Sequence, residues 1–497
     1  MRIPLEGTGP IDFELRRRAV AALAGVLPLS AILADDESTR PYECDALTLY
    51  RQAPMIVVLP DSETQVAAIL RTCSTMKLPL IARGAGTGLS GGALPHCAGV
   101  LMSLAKLNRI LEIDPAAQTA RVQPGVRNLA ISEAAAPHGL FYAPDPSSQV
   151  ACTIGGNVAE NSGGIHCLKY GVTLHNVLAV RGYTVNGEAV ELGSAAPDSP
   201  GLDLLSLVLG SEGMLLVVTE VLVKLLPRPA VARCLMASFA DVEVAGAAVA
   251  AVIAAGLVPA ALEMMDRAAT RMVEPFVHAG YDLEAAAILL CESDGTKAEV
   301  AEEIGRLCDT LRAAGATKIS VAADEAERAR FWAGRKNAFP AAGRISPDYY
   351  CMDGTIPRRQ LGTVLNAIRE METTYGLRCP NVFHAGDGNL HPLILFDAND
   401  PDSVARADAF GDAILNLCIQ VGGTVTGEHG VGVEKVSQLC EQFDEPTREA
   451  FFGVRRAFDP HGLLNPGKVI PSLQRCAEYG RQHVHRGRSA FAELPRL

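Results

Sequence analysis

Four residues in two short glycine-flanked segments carry the most chemical information in this chain. From His384-Ala-Gly-Asp-Gly-Asn-Leu-His391 and, a helix-length gap later, Gly427-Glu428-His429-Gly430, three histidines and the carboxylate of Glu428 stand out. Imidazole and carboxylate donors suit a divalent transition metal (zinc, manganese or iron), with one position left open for substrate. The run Pro392-Leu393-Ile394-Leu395-Phe396 reads as a strand, so His391 stands at its mouth and His384 across a tight Gly-Asp-Gly turn. The competing reading is a set of hydrogen-bonded loop histidines. Three of them gathered beside one carboxylate favour the metal.

The remainder of the chain must position those residues. At 497 residues it is too long for one typical core, and two or three domains are expected. With 48% hydrophobic and 20% charged residues the composition is globular rather than disordered. A formal net charge of −12 argues against nucleic acid or anionic lipid as partner, since both reward basic patches. Thirteen cysteines are scattered with no Cys-x-x-Cys pair, which speaks against a four-cysteine zinc site or an iron–sulfur run. The odd count also fits a reducing compartment.

Arg16-Arg17-Arg18 ahead of the apolar stretch 19–33 superficially resembles a signal sequence. Glu6, Asp12 and Glu14 dilute its positive end, and Asp35-Asp36-Glu37 follow at once. The stretch is also too short and proline-interrupted to span a membrane. The expectation is an amphipathic helix packed on the body of a cytoplasmic protein with no transmembrane segment.

From Met55 to about Pro229 the pattern is strands, turns and a few helices. Residues 56–59 read as a strand, 61–76 as a helix capped by Asp61 or Ser62, and 79–82 as a strand ending in a glycine-dense loop. Residues 100–104, 110–113 and 120–123 are three further short strands, and Pro227-Arg228-Pro229 marks a boundary. Between about 230 and 397, helical patterns at 242–255, 297–314 and 359–375 alternate with strand-like runs at 287–290 and 318–321. That alternation suggests an α+β domain with helices on one face of a sheet. The chain is mostly helical from about Asp402, and the tail after Pro471, with His483 and His485, shows no periodicity and reads as loosely held.

Arg83-Gly84-Ala85-Gly86-Thr87-Gly88-Leu89-Ser90-Gly91-Gly92 contains a formal G-x-G-x-x-G after a strand. A dinucleotide-binding Rossmann unit needs a helix to begin near the third glycine. Here Gly92, Pro95 and Gly99 intervene before the strand around Leu101, and no helix of useful length fits. What survives is a backbone nest, closely spaced N–H groups that hold an anion without lysine. Similar small-residue regions follow at Tyr142–Ser148, Thr153–Asn157, Asn161–Gly164 and Gly210–Gly213, the last leading into a strand at 215–219. Such loops let backbone approach a large flat ligand.

Taken in order, Arg83–Gly92, Pro144-Asp145-Pro146-Ser147-Ser148, Thr153-Ile154-Gly155-Gly156-Asn157, Gly210-Ser211-Glu212-Gly213 and Leu464-Asn465-Pro466-Gly467-Lys468 resemble the FAD-linked oxidase superfamily of the vanillyl-alcohol oxidase type. The resemblance covers nearly everything from Pro41 to Val469 and is nearest to the 2-hydroxy acid oxidising branch, glycolate oxidase FAD-linked subunits and D-lactate dehydrogenases. It implies an α+β fold: a two-subdomain FAD-binding module, an α+β cap domain and a helical C-terminal segment. The corresponding boundaries are 1–52 (N-terminal helical segment), 53–229 (FAD binding), 230–420 (substrate and cap), 421–471 (completing the active site) and 472–497 (tail). FAD contacts are expected from Arg83, Gly84, Gly86, Thr87, Gly88, Ser90, Gly91, Pro144, Asp145, Ser147, Gly155, Gly156, Asn157, Asn161, Gly164, Glu212, Gly213, Val218 and Asn465. Some relatives attach flavin through a histidine in the first glycine loop; this loop has none, so FAD is expected to be non-covalent.

The resemblance also implies that His384, His391 and Glu428 hold the metal, that His429 is the general base, and that Arg335, in Phe331-Trp332-Ala333-Gly334-Arg335, grips the substrate carboxylate as a bidentate fork. A fourth ligand or a support for Glu428 is the other role open to His429, and a surface helix arginine the other reading of Arg335. Relatives that oxidise 2-hydroxyglutarate carry a lysine near the position of Cys351. A thiol cannot pair with a distal carboxylate, so glycolate or D-lactate is the expected substrate. D-2-hydroxyglutarate dehydrogenation and a non-catalytic FAD-binding electron relay are the alternatives. With no iron–sulfur motif of its own, the chain is expected to pass electrons to a separate iron–sulfur subunit, a quinone, a soluble carrier or oxygen, and any membrane association would come through a partner subunit.

Overall fold

The computed structural model describes residues 6–196 and 201–471, so the tail with His483 and His485 lies outside the described residues. The chain divides into two compact units. The first comprises the residues up to Ser162, Val172–Pro227 and those from His429 onward; the second comprises Gly163–Gly171 and Arg228–Glu428. The excursion at Gly163–Gly171 had no signal in the sequence pattern.

The first unit has two sheets. One runs Ile32–Leu33, Ile56–Val58, Val100–Ser103, Leu80–Arg83, with the last three strands parallel. The N-terminal helix Phe13–Leu23 is capped by Asp12, which accepts from the N–H groups of Glu14 and Leu15. It buries Ala19 and Leu23 in the core of this sheet with Val66, Ile69 and Leu70 of the helix Glu63–Met76. The arginine-led stretch is thus an amphipathic helix of the body, ended before Pro28. Among the described residues, no helix is long and apolar enough to cross a membrane.

The second sheet of this unit is antiparallel, in the order Ile110–Asp114, Thr119–Val122, Val217–Lys224, Val177–Tyr183, Ala189–Gly193. The strand expected at 215–219 therefore starts later and runs longer. No helix separates Leu80–Arg83 from Val100–Ser103, in keeping with the exclusion of a Rossmann turn.

The second unit is built on an antiparallel sheet, Lys318–Val321, Val231–Phe239, Ala287–Gly295, Ala261–Asp266, Val382–Phe383. Helices were expected on one face, but the central strand is buried at every position from Ala287 to Asp294, which requires cover on both. Cys234, Met236, Ile288 and Leu290 face the helices Arg267–Val277, Glu325–Lys336 and Ala338–Ile345. The alternate residues Leu235, Ala237, Leu289 and Cys291 are equally buried, and Val242–Ala254 and Lys297–Ala313 pack on the same strands. Period-two alternation cannot reveal this, because a doubly covered strand is apolar throughout. A hairpin-like ribbon of Asp348–Cys351 and Leu393–Phe396 completes the unit.

Candidate functional site

The end of the strand Val382–Phe383 delivers His384, and the start of Leu393–Phe396 follows His391. Bridges Asn381↔Pro392 and His384↔Asn389 fold the intervening residues back on themselves. The Gly-Asp-Gly turn is as tight as its composition demands: Gly388 has φ +85°, and a Cβ there would fall 2.2 Å from the Ile356 carbonyl oxygen. The Asp387 carboxylate closes the turn by accepting from Asn389 N–H at 3.1 Å.

This geometry sets the two imidazoles edge to face with ring centroids 5.0 Å apart. Their Nε2 atoms lie 3.3 Å (His384) and 2.9 Å (His391) from Glu428 Oε1. The opposite ring nitrogens are anchored outward, His384 Nδ1 on Glu263 Oε1 at 2.8 Å and His391 Nδ1 on the Met352 carbonyl at 3.3 Å. An outer acceptor on each Nδ1 selects the tautomer that turns an Nε2 lone pair inward. All three donor atoms lie within 4.8 Å of one another. The set fits a divalent metal ion in number, type and orientation.

Glu428 is placed by a second carboxylate to which no motif pointed. Asp353, fully buried, accepts from the N–H groups of Gly427 and Glu428 at 3.1 Å each, from Thr426 Oγ1, and from Asn389 Nδ2 at 2.9 Å. One side chain therefore ties the glutamate's backbone to the histidine turn. Burial alone would push the Glu428 carboxyl up, but the two histidines hold it well below the usual carboxylate range. Burial likewise disfavours a charged imidazole, yet the carboxylates of Glu263 and Glu428 raise His384, and the Cys351 thiol and Glu428 raise His391 to about 9.

Arg335 is no surface arginine. Only 3% exposed on the helix Glu325–Lys336, it donates from Nε to Glu263 Oε2 at 2.6 Å, so that edge of the expected fork is engaged. Its Nη2 is buried with no hydrogen-bond partner among the described residues. Glu263 was not among the residues expected from the sequence. The available signal was an acid in the middle of the apolar strand Ala261–Asp266, since a buried charge requires partners.

The glycine loops converge within the first unit. A Cβ at Gly84 would fall 2.3 Å from Thr153 Oγ1, and Asn128 Nδ2 joins the Pro144 carbonyl to Asn157 Oδ1. Glu212 N–H donates to the Ala159 carbonyl, and Asn465 Nδ2 donates to the carbonyls of Gly92 and Glu212. The hydroxyls of Ser90 and Thr153 are buried without hydrogen-bond partners among the described residues. The Glu212 side chain turns elsewhere. It accepts from Val431 and Gly432 N–H at 2.6 and 2.8 Å, fastening the segment after His429 to these loops. Burial nevertheless pushes its carboxyl up to about 7. Val218 lies buried in the strand Val217–Lys224 and Asp145 is half-buried, whereas Ser147 is exposed. Of the remaining residues, Gly164 falls in the second unit and His429 opens the chain's return to the first.

Models of known families match both parts of the chain, "FAD binding domain" over residues 54–193 and "FAD linked oxidases, C-terminal domain" over residues 228–469. "Glycolate oxidase subunit GlcD" of Escherichia coli K12 is 60% identical over 482 residues, 97% of each chain. This chain belongs to the FAD-linked oxidase family. "Glycolate oxidase subunit GlcD" of Bacillus subtilis is 37% identical, covering 86% of this chain and 92% of the relative. "D-lactate dehydrogenase" of Archaeoglobus fulgidus is 32% identical over 84% and 92%. Among solved structures, p-cresol methylhydroxylase with substrate bound superposes with TM-score 0.78 at 17% identity, covering 95% of this chain and 99% of that one. The fold of this FAD-linked oxidoreductase is thus the vanillyl-alcohol oxidase type, and FAD is its cofactor.

Proposed function

We propose that the chain oxidises a small D-2-hydroxy acid, glycolate or D-lactate, to the 2-oxo acid. The observation that carries this reading is the set His384 Nε2, His391 Nε2 and Glu428 Oε1, converging with both Nδ1 atoms anchored. These three residues would hold a divalent metal, and the glycine loops a non-covalent FAD, since residues 83–92 contain no histidine to attach it. When bound, the flavin accepts a hydride and the metal ion lowers the pKa of an α-hydroxyl. Arg335 orients the substrate through its carboxylate, and His429, next in the chain to Glu428, takes the hydroxyl proton. Loss of that proton and of the Cα hydride leaves the 2-oxo acid.

Two relatives support the substrate class by name, one a glycolate oxidase subunit and one a D-lactate dehydrogenase. The word subunit in the first name supports a separate electron-accepting partner. The odd count of thirteen cysteines supports a reducing, cytoplasmic setting. The test is anaerobic flavin reduction with a panel of D- and L-2-hydroxy acids. Glycolate or D-lactate should bleach the flavin fastest; a protein that no 2-hydroxy acid reduces would overturn the proposal.

A further inference from the structure

Two carboxylates stand on neighbouring strands of the second unit's sheet, both shielded from water. Ala261 pairs with Glu292 and Glu263 with Leu290, so both acids point to the same face. The helix Glu325–Lys336 meets them with Arg328, Trp332 and Arg335, spaced four and three residues apart along one stripe. The two pairings differ in what they leave over. Glu292 accepts from Arg328 Nη1 and from Trp332 Nε1, each at 2.6 Å, with His166 Nε2 at 3.6 Å. That is the pattern of a closed structural ion pair. Glu263 divides its oxygens between His384 Nδ1 and Arg335 Nε and leaves Arg335 Nη2 buried without a partner.

A structural pair has no reason to keep a buried guanidinium nitrogen unmet, because an unsatisfied buried donor is costly. Nor does it need one oxygen on an imidazole whose far nitrogen faces another carboxylate. We propose that Glu263 is a positioning residue joining the two recognition elements of the site: Oε1 fixes the tautomer and plane of the metal-binding His384, while Oε2 holds Arg335 with its Nη edge available for a monocarboxylate. Glu263 does not touch the reacting atoms. It sets the separation between the group that receives the substrate's hydroxyl and the group that receives its carboxylate. This inference rests on the 2-hydroxy acid reading above.

The test separates the two oxygens. In the full chain with FAD bound, Mn2+ alone is titrated and followed by its EPR signal, with no substrate present. Replacing Glu263 by Gln keeps one acceptor but turns an amide N–H2 toward a donor, so Mn2+ affinity should fall about 10–100-fold, the usual cost of losing an outer partner of a metal-binding imidazole. KM for glycolate and D-lactate should rise as well. The double variant Glu263→Gln/Arg335→Met removes the unpaired guanidinium, protects the fold, and lets the amide oxygen serve His384. Mn2+ binding should return to within about threefold of the native protein while KM stays high. Should native and Glu263→Gln proteins bind Mn2+ within twofold of each other and share one KM, the positioning role is overturned and the functional proposal stands. A native protein that binds no Mn2+ and is reduced by no 2-hydroxy acid overturns both.

Discussion

The two units of this chain are built by opposite means. In the first, the conspicuous residues are glycines, set in short loops that cross near Gly84, Thr153, Glu212 and Asn465 and are stitched by amides to carbonyls. In the second, the conspicuous residues are charged and buried or half-buried, and each is aimed by another: Asp353 on Glu428, Glu263 on His384 and Arg335. Backbone nests suit a cofactor that must be held wherever the chain carries it. Side-chain networks suit groups whose charge and tautomer must be set for a reaction. On the function proposed above, a large cofactor and a small substrate leave different marks in one polypeptide.

The sharpest way to break that division is to remove a donor from the second unit and watch the first. His384→Ala or His391→Ala, or exhaustive chelation of the native protein, should slow substrate-driven flavin reduction at least about a thousandfold, since a coordinated metal is worth several kcal/mol to developing alkoxide charge. FAD content, read from the absorbance of the purified protein, should be unchanged. Full activity in protein shown by elemental analysis to be metal-free would end the metal reading; loss of FAD along with activity would end the division of labour.

How legible each unit was in the sequence follows the same division. The glycine loops and the histidine turn were readable because backbone constraints write themselves in composition: Gly386-Asp387-Gly388 has to be a tight turn, and Gly388 with φ +85° is one. Strands, the N-terminal helix and the family resemblance followed from local pattern. What escaped was non-local. Glu263 and His384 are 121 residues apart, and Asp353 and Glu428 are 75, so no spacing rule joins them. Each acid interrupts an apolar setting, which announces a buried charge without naming its partner. The second cover on the second unit's sheet and the excursion Gly163–Gly171 were hidden for a related reason, since both depend on which distant helix or strand arrives.

An intermediate effect should come from the first unit. Gly86 has φ +70°, and a Cβ there would lie 2.1 Å from Arg83 Nη2, which is packed in place by a bond from Nη1 to the Cys44 carbonyl. Gly86→Val lets the loop without FAD relax out of the left-handed conformation, and regaining it on FAD binding costs about 1–2 kcal/mol, hence roughly tenfold weaker FAD retention. Mn2+ binding by the second unit should not move. FAD retention equal to that of the native protein would remove the first loop from the cofactor site, and a parallel loss of Mn2+ would show that the units are not separable by function.

The smallest effect concerns selectivity, and it asks whether the second unit's charge count reads out substrate size. Glu263 and Arg335 form one buried pair with a spare Nη2, and the metal proposed on His384, His391 and Glu428 would offer a place for one hydroxyl. Cys351, buried at the end of the strand Asp348–Cys351 and in contact with His391, supplies no cation for a second carboxylate. A carboxylate buried there unpaired costs on the order of several kcal/mol, so native kcat/KM for glycolate or D-lactate should exceed that for D-2-hydroxyglutarate by roughly a hundredfold or more. Cys351→Lys should narrow the ratio by about tenfold, mostly by improving the dicarboxylate, because one exposed-to-buried charge pairing is worth of order 1.4 kcal/mol. Arg335→Lys should lower kcat/KM for every substrate alike, since an ammonium cannot pair with Glu263 and still present a planar edge. Stopped-flow reduction in which D-2-hydroxyglutarate is the best native substrate would reverse the assignment and place another cation in the path of its distal carboxylate.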